Sequence, residues 1–177
     1  MRLLLGPVAL VCALEKVPRW AYLPILVIAT LSDIYDGVLA RRYGVATPAL
    51  RRYDSVTDVI YYLFVLGAAF LLCREMITHN WLPVALILLS EAACILVSFV
   101  KFGKYPATHS YLAKFYGLCL LAALAALLVF DAGSWVVIAL TVVALTANIE
   151  IIAIHLLMDS PPVDVKSVFA RPRKRAF

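Results

Sequence analysis

Five stretches of this chain, Trp20 to Tyr43, Asp54 to Cys73, Trp81 to Val100, Lys114 to Phe130 and Trp135 to Met158, are predominantly apolar and close to membrane length. Crossing the hydrocarbon core takes about 20 such residues as a helix. Composition agrees, with 64% hydrophobic and 15% charged residues and a mean hydropathy of +0.95, far from a soluble globular domain. The fold class is therefore all-α, a polytopic membrane helix bundle. Leu3 to Val17 is apolar but short. With it the chain has about six transmembrane helices; without it, five and an interfacial segment.

Loop charge orients the bundle. With six spans, one side receives Arg2, Arg41, Arg42, Arg51, Arg52, Lys101, Lys104, Lys114, Lys166, Arg171, Arg173, Lys174 and Arg175, and the other keeps Lys16, Arg19 and Arg74. The basic side is expected to face the cytoplasm, placing the protein in the plasma (inner) membrane of a prokaryote. The apolar opening runs into Glu15, Lys16 and Pro18 without a small-residue cleavage pattern, so no signal peptide is expected to be removed. Residues 1–160 read as a transmembrane domain and 161–177 as a basic cytoplasmic tail. That tail, opened by Pro161 and Pro162, suits anionic lipid headgroups or acts only as a topology signal. No nucleic-acid partner is expected. Cys12, Cys73, Cys94 and Cys119 sit singly, without metal-ligand spacing, and read as apolar packing.

Against this background the carboxylates in DIYDGVLARRYGVATPALRRYDSVTD are expensive. An aspartate at membrane depth requires a countercharge. On a helix, Asp33, Asp36, Gly37 and Ala40 share one stripe, and Asp54 and Asp58 form another. Gly44 and Pro48 signal the turn between them, so the two helices are antiparallel neighbours. Hard oxygen donors suit Mg²⁺ or Mn²⁺, and two such ions would clamp the attacking and leaving oxygens of a phosphoryl displacement. The small Gly37 and Ala40 leave a notch for substrate beside Arg41, a phosphate partner. Ion pairs with Arg41, Arg42, Arg51 and Arg52 are the bland alternative.

The spacing D-x2-D-G-x2-A-R-x8-G-x3-D-x3-D resembles the signature of the CDP-alcohol phosphotransferase family of integral membrane enzymes. Asp33, Asp36, Gly37, Ala40, Arg41, Asp54 and Asp58 match it. Seven such coincidences are expected by chance in fewer than about one in 10⁸ windows at ordinary residue usage. Leu50 stands where the pattern has its second glycine, which by resemblance lies beside the nucleotide. The resemblance implies transfer of a substituted phosphate from a CDP-linked donor to a hydroxyl acceptor, with release of CMP. It implies that Asp33, Asp36 and Asp54 hold metal at the CDP pyrophosphate. Asp58 would be the catalytic base, touching the second metal as well. Gly37, Ala40 and Arg41 would bind the CDP donor.

The segment KFGKYPATHSYLAK offers Lys104, Thr108, His109 and Lys114 to an anionic acceptor, with Arg51 and Arg52 as alternative phosphate contacts. Positive-inside topology and a helix cap at Thr108 or Ser110 explain the same residues without a ligand. Glu91, Asn148, Glu150 and His155 read as packing contacts or a seam between two copies, and a homodimer is expected. Tyr61 and Tyr62 follow Asp58 by one turn and could line the site. The expected activity is phosphatidyl transfer from CDP-diacylglycerol to a small alcohol, with glycerol 3-phosphate or another phosphorylated polyol favoured, in phospholipid biosynthesis. The alternatives are transfer of a CDP-linked headgroup to a diglyceride, or a metal-binding membrane protein or carrier with weak catalysis.

Overall fold

A computed structural model describes residues 1–45, 47–106, 108, 110–162 and 165–169. Among them are seven α-helices and no strand: α1 (Arg2–Leu14), α2 (Tyr22–Arg42), α3 (Pro48–Leu72), α4 (Arg74–His79), α5 (Trp81–Phe102), α6 (Tyr111–Leu128) and α7 (Trp135–Leu157). A 3-10 turn, Arg19–Ala21, leads into α2. The chain is thus the all-helical bundle expected. Helices α2, α3, α5, α6 and α7 are long and apolar enough to cross a membrane; α1 is shorter.

Local chemistry sets the ends. Thr47 caps α3 by accepting the Leu50 N–H at 3.2 Å, with Pro48 in the first turn. Ser110 caps α6 by accepting the Ala113 N–H at 3.1 Å. Gly103, at φ 61°, closes α5 in the left-handed conformation that a side chain would resist.

α1 lies along α3 within the bundle. Its buried stripe Arg2, Gly6, Ala9 and Ala13 faces Tyr61, Val65, Ala68 and Ala69. A Cβ on Gly6 would stand 3.1 Å from Phe64 Cδ2, and one on Gly67 3.4 Å from Leu10 Cδ1. Small residues let helices approach this closely. The two helices run parallel, which carries Arg2 to the level of Asp54 and Asp58. A sixth, shorter rod therefore joins the five long ones.

The second half pairs α5 with α7 and α6 with α7, and α6 touches both α2 and α3. Polar side chains stitch its interior. Asn148 donates to Ser90 Oγ (2.9 Å) and Glu91 Oε1 (3.2 Å), and its carbonyl accepts from Cys94. Glu150 accepts from Ser110 (2.6 Å), Ser167 (3.0 Å) and the Val168 N–H. Together with the Tyr111 N–H on the Lys166 carbonyl (3.0 Å), this pins residues 165–168 against the starts of α6 and the end of α7. Asn148 and Glu150 thus find partners inside one chain. His155 is buried, with Nδ1 on the Ile151 carbonyl at 2.8 Å.

The bundle has two unlike ends. Trp20, Trp81 and Trp135, all exposed, stand at one end, with the Arg19–Asp131 ion pair (2.6 Å). Tryptophan favours a membrane–water interface. Asp33, Asp36, Asp54 and Asp58 occupy the other end.

Candidate functional site

α1 packs against both α2 and α3, whereas α2 and α3, expected as neighbours, barely touch each other; the site forms where the ends of the three come together. Asp33 lies on α2, and Asp54 and Asp58 one turn apart on α3. Carboxylate oxygens from these three lie within 4.8 Å of one another. Ligands on opposite sides of Mg²⁺ stand about 4.2 Å apart at about 2.1 Å per bond. The spacing of the donor oxygens therefore suits one hard divalent cation. The side chains remain 43%, 29% and 33% exposed for Asp33, Asp54 and Asp58, leaving the triad accessible from outside.

Asp36 stands outside that triad and faces a cleft of about 210 Å³. Gly37, Ala40, Leu50, Arg51 and Asp54 line the same cleft, with Arg2 and Thr57. The small-residue stripe of α2 thus forms a wall of the cleft. Arg41 folds back over it, its Nη1 3.6 Å from where a Gly37 side chain would begin. Leu50, 40% exposed, presents its side chain where glycine would leave open space.

One residue of the site carried no sequence motif. The Arg2 side chain is only 5% exposed, and its Nη2 lies 2.9 Å from Asp33 Oδ1. The same guanidinium pairs with Asp54 and Asp58. Arg2 is therefore the cation on which all three carboxylates converge. Its spacing to Gly6, Ala9 and Ala13 was the available signal, since these four recur on the buried face of α1.

The acceptor candidates divide. Arg51 lines the cleft; Arg52, Lys104, Thr108 and Lys114 do not line it. Lys104 and Lys114 are exposed at the same end of the bundle, Lys114 over the Tyr111 ring. Thr108 is buried, and its hydroxyl has no hydrogen-bond partner among the described residues. His109 lies outside the described residues. In the same segment burial pushes the Tyr105 phenol up to about 12, the Glu91 charge adding to it. Tyr61 and Tyr62 stack edge to face at 5.2 Å, and Tyr62 lies within the field of Asp33 and Arg2.

The family model for CDP-alcohol phosphatidyltransferase matches residues 1–148. The chain belongs to that family. The match takes in α1 to α6 and most of α7, so the cleft and the whole aspartate cluster fall inside it. Among curated proteins and solved structures, none matches the chain. Membership makes this protein a transferase of phosphatidyl groups between a CDP-linked alcohol and an acceptor alcohol. Its five long apolar helices make the transferase an integral membrane protein. The family is typically dependent on divalent metal, and the aspartate cluster supplies a donor set of the right chemistry.

Proposed function

We propose that the transferase moves a phosphatidyl group from CDP-diacylglycerol to a small phosphorylated alcohol, glycerol 3-phosphate in the first instance, and releases CMP. The observation that carries this reading is the convergence of Asp33, Asp54 and Asp58 beside a cleft walled by Gly37 and Ala40. Asp33, Asp54 and Asp58 would hold Mg²⁺ or Mn²⁺, and Asp36, which lines the adjoining cleft, would be a further carboxylate ligand. Bound divalent ions would neutralise the pyrophosphate and the charge growing on the departing CMP.

The protein's own groups do the rest. Gly37 and Ala40 admit the donor headgroup close to the α2 backbone, and Arg41 pairs with its phosphate. Asp58, one helical turn from Asp54, takes the proton from the acceptor hydroxyl. That oxygen forms a bond to the phosphorus bearing the diacylglycerol, and the bond from that phosphorus to CMP breaks. Arg51 holds the acceptor phosphate, since it shares the cleft with Asp54. Lys104 and Lys114 raise the positive potential at that end and draw anionic acceptors toward it. The fatty chains stay among apolar helix faces.

The charge distribution supports a cytoplasmic site in a prokaryotic inner membrane. Arg41, Arg42, Arg51, Arg52, Lys101, Lys104 and Lys114 accompany the aspartates at one end, and Lys16, Arg19 and Arg74 lie at the tryptophan end.

The test is a substrate panel. Purified protein in detergent with Mg²⁺ or Mn²⁺ is given CDP-diacylglycerol and a series of alcohols, and CMP and lipid products are followed by mass. The proposal expects a phosphatidyl product with glycerol 3-phosphate or another phosphorylated polyol. Product only from a CDP-linked headgroup and diglyceride would reverse the donor assignment.

A further inference from the structure

The mechanism leaves one buried charge unassigned. A guanidinium that is 95% removed from solvent is costly unless it is paired and hydrogen-bonded. Arg2 is ion-paired with Asp33, Asp54 and Asp58, and its Nη2 donates a hydrogen bond to Asp54. Those are the carboxylates a divalent ion would need, so guanidinium and metal compete for one space.

The charge balance points the same way. Arg2 brings one positive charge to these three carboxylates. Two divalent ions would balance Asp33, Asp36, Asp54 and Asp58 without Arg2. Once they bind, the guanidinium is surplus at the triad but complementary to a pyrophosphate. Its new partner lies within reach, because Arg2 already lines the cleft with Asp36, Gly37, Ala40 and Arg51. The helix beneath it cannot follow, since Gly6 is set against Phe64 and Ala9 is fully packed. A change of partner would need only the side chain to move, and its planar fork suits phosphate oxygens.

We propose that Arg2 is the internal countercharge of the aspartate site: it holds the triad together without metal, yields it to a divalent ion, and then clamps the donor pyrophosphate. This assignment rests on the metal-binding reading above. It makes Arg2 a residue that couples metal loading to donor binding.

The test measures Mn²⁺ affinity by electron paramagnetic resonance on the full chain in detergent, with CDP as the soluble donor probe. Wild type, Arg2→Met, Arg2→Lys and Asp54→Asn are compared. Arg2→Met keeps the apolar stem and removes the competitor. Its Mn²⁺ affinity is expected to rise at least about tenfold, the factor of one lost charge-assisted hydrogen bond. Its thermal midpoint without metal should fall and recover with Mn²⁺. In wild type CDP should tighten Mn²⁺ binding, and Arg2→Met should weaken that coupling. Equal or weaker Mn²⁺ binding by Arg2→Met, with binding still abolished by Asp54→Asn, overturns the role of Arg2 and leaves the metal site standing. Absence of Mn²⁺ binding in every form overturns both. If Arg2→Met does not fold, Arg2→Lys decides: weaker CDP coupling supports the clamp, and wild-type coupling overturns it.

Discussion

Gly6 gives the sharpest structural prediction, because it sets how close α1 can bring Arg2 to α3. Gly6→Ala gains up to about 1 kcal/mol in helix propensity. Against that, the new Cβ would stand 3.1 Å from Phe64 Cδ2 and 3.2 Å from Phe64 Cβ. The second of these atoms is tied to the α3 backbone and cannot rotate away. Overpacking of this kind costs about 1–3 kcal/mol, so the net is a loss of about 1 kcal/mol. Gly67→Ala meets only Leu10 Cδ1, at 3.4 Å, the end of a flexible side chain. Gly117→Ala meets nothing within 4 Å and should gain about 0.5–1 kcal/mol. Denaturation in mixed micelles should rank the three Gly117→Ala, Gly67→Ala, Gly6→Ala from most to least stable. Gly6→Ala should also lose transferase activity, since it lifts Arg2 from the triad. A Gly6→Ala protein as stable as Gly117→Ala would refute the claim that α1 is seated on α3 by this contact.

The site makes further predictions. Leu50→Gly removes a side chain from the cleft and should lower the donor KM several-fold, at a cost of up to about 1 kcal/mol in helix stability; steady-state kinetics with varied CDP-diacylglycerol checks it. Asp58→Asn should lower kcat by about 10² to 10⁴-fold, the usual contribution of a general base, as read from CMP release at saturating donor and metal. Arg51→Ala should raise the acceptor KM about tenfold, one charge-assisted hydrogen bond, and Lys104→Ala or Lys114→Ala should raise it less, with an effect that salt removes.

The membrane bundle was legible because length and apolarity are local properties of sequence. Residues three and four apart on a helix must share a face, so the stripes of Asp33 with Asp36 and of Asp54 with Asp58 followed from spacing. What spacing on single helices does not fix is their azimuth against each other. The structure turns Asp33 into the triad and leaves Asp36 at the cleft wall. Arg2 escaped because it sits 31 residues before Asp33 and reads as a loop charge. Its meaning appears only when the glycines of α1 and α3 bring two helices together. Glu150 shows the same limit. Its partners Ser110 and Ser167 lie 40 and 17 residues away, and no periodicity joins them.

The central claim is that aspartates from two helices hold the divalent ion on which phosphatidyl transfer depends. It is tested most directly by CMP release from CDP-diacylglycerol and glycerol 3-phosphate in one preparation, before and after metal removal. No CMP is expected in excess EDTA, with recovery on adding Mg²⁺ or Mn²⁺ and no recovery in Asp33→Asn or Asp54→Asn proteins that remain folded. Release that persists in EDTA, or that Asp54→Asn leaves at the wild-type rate, would contradict it.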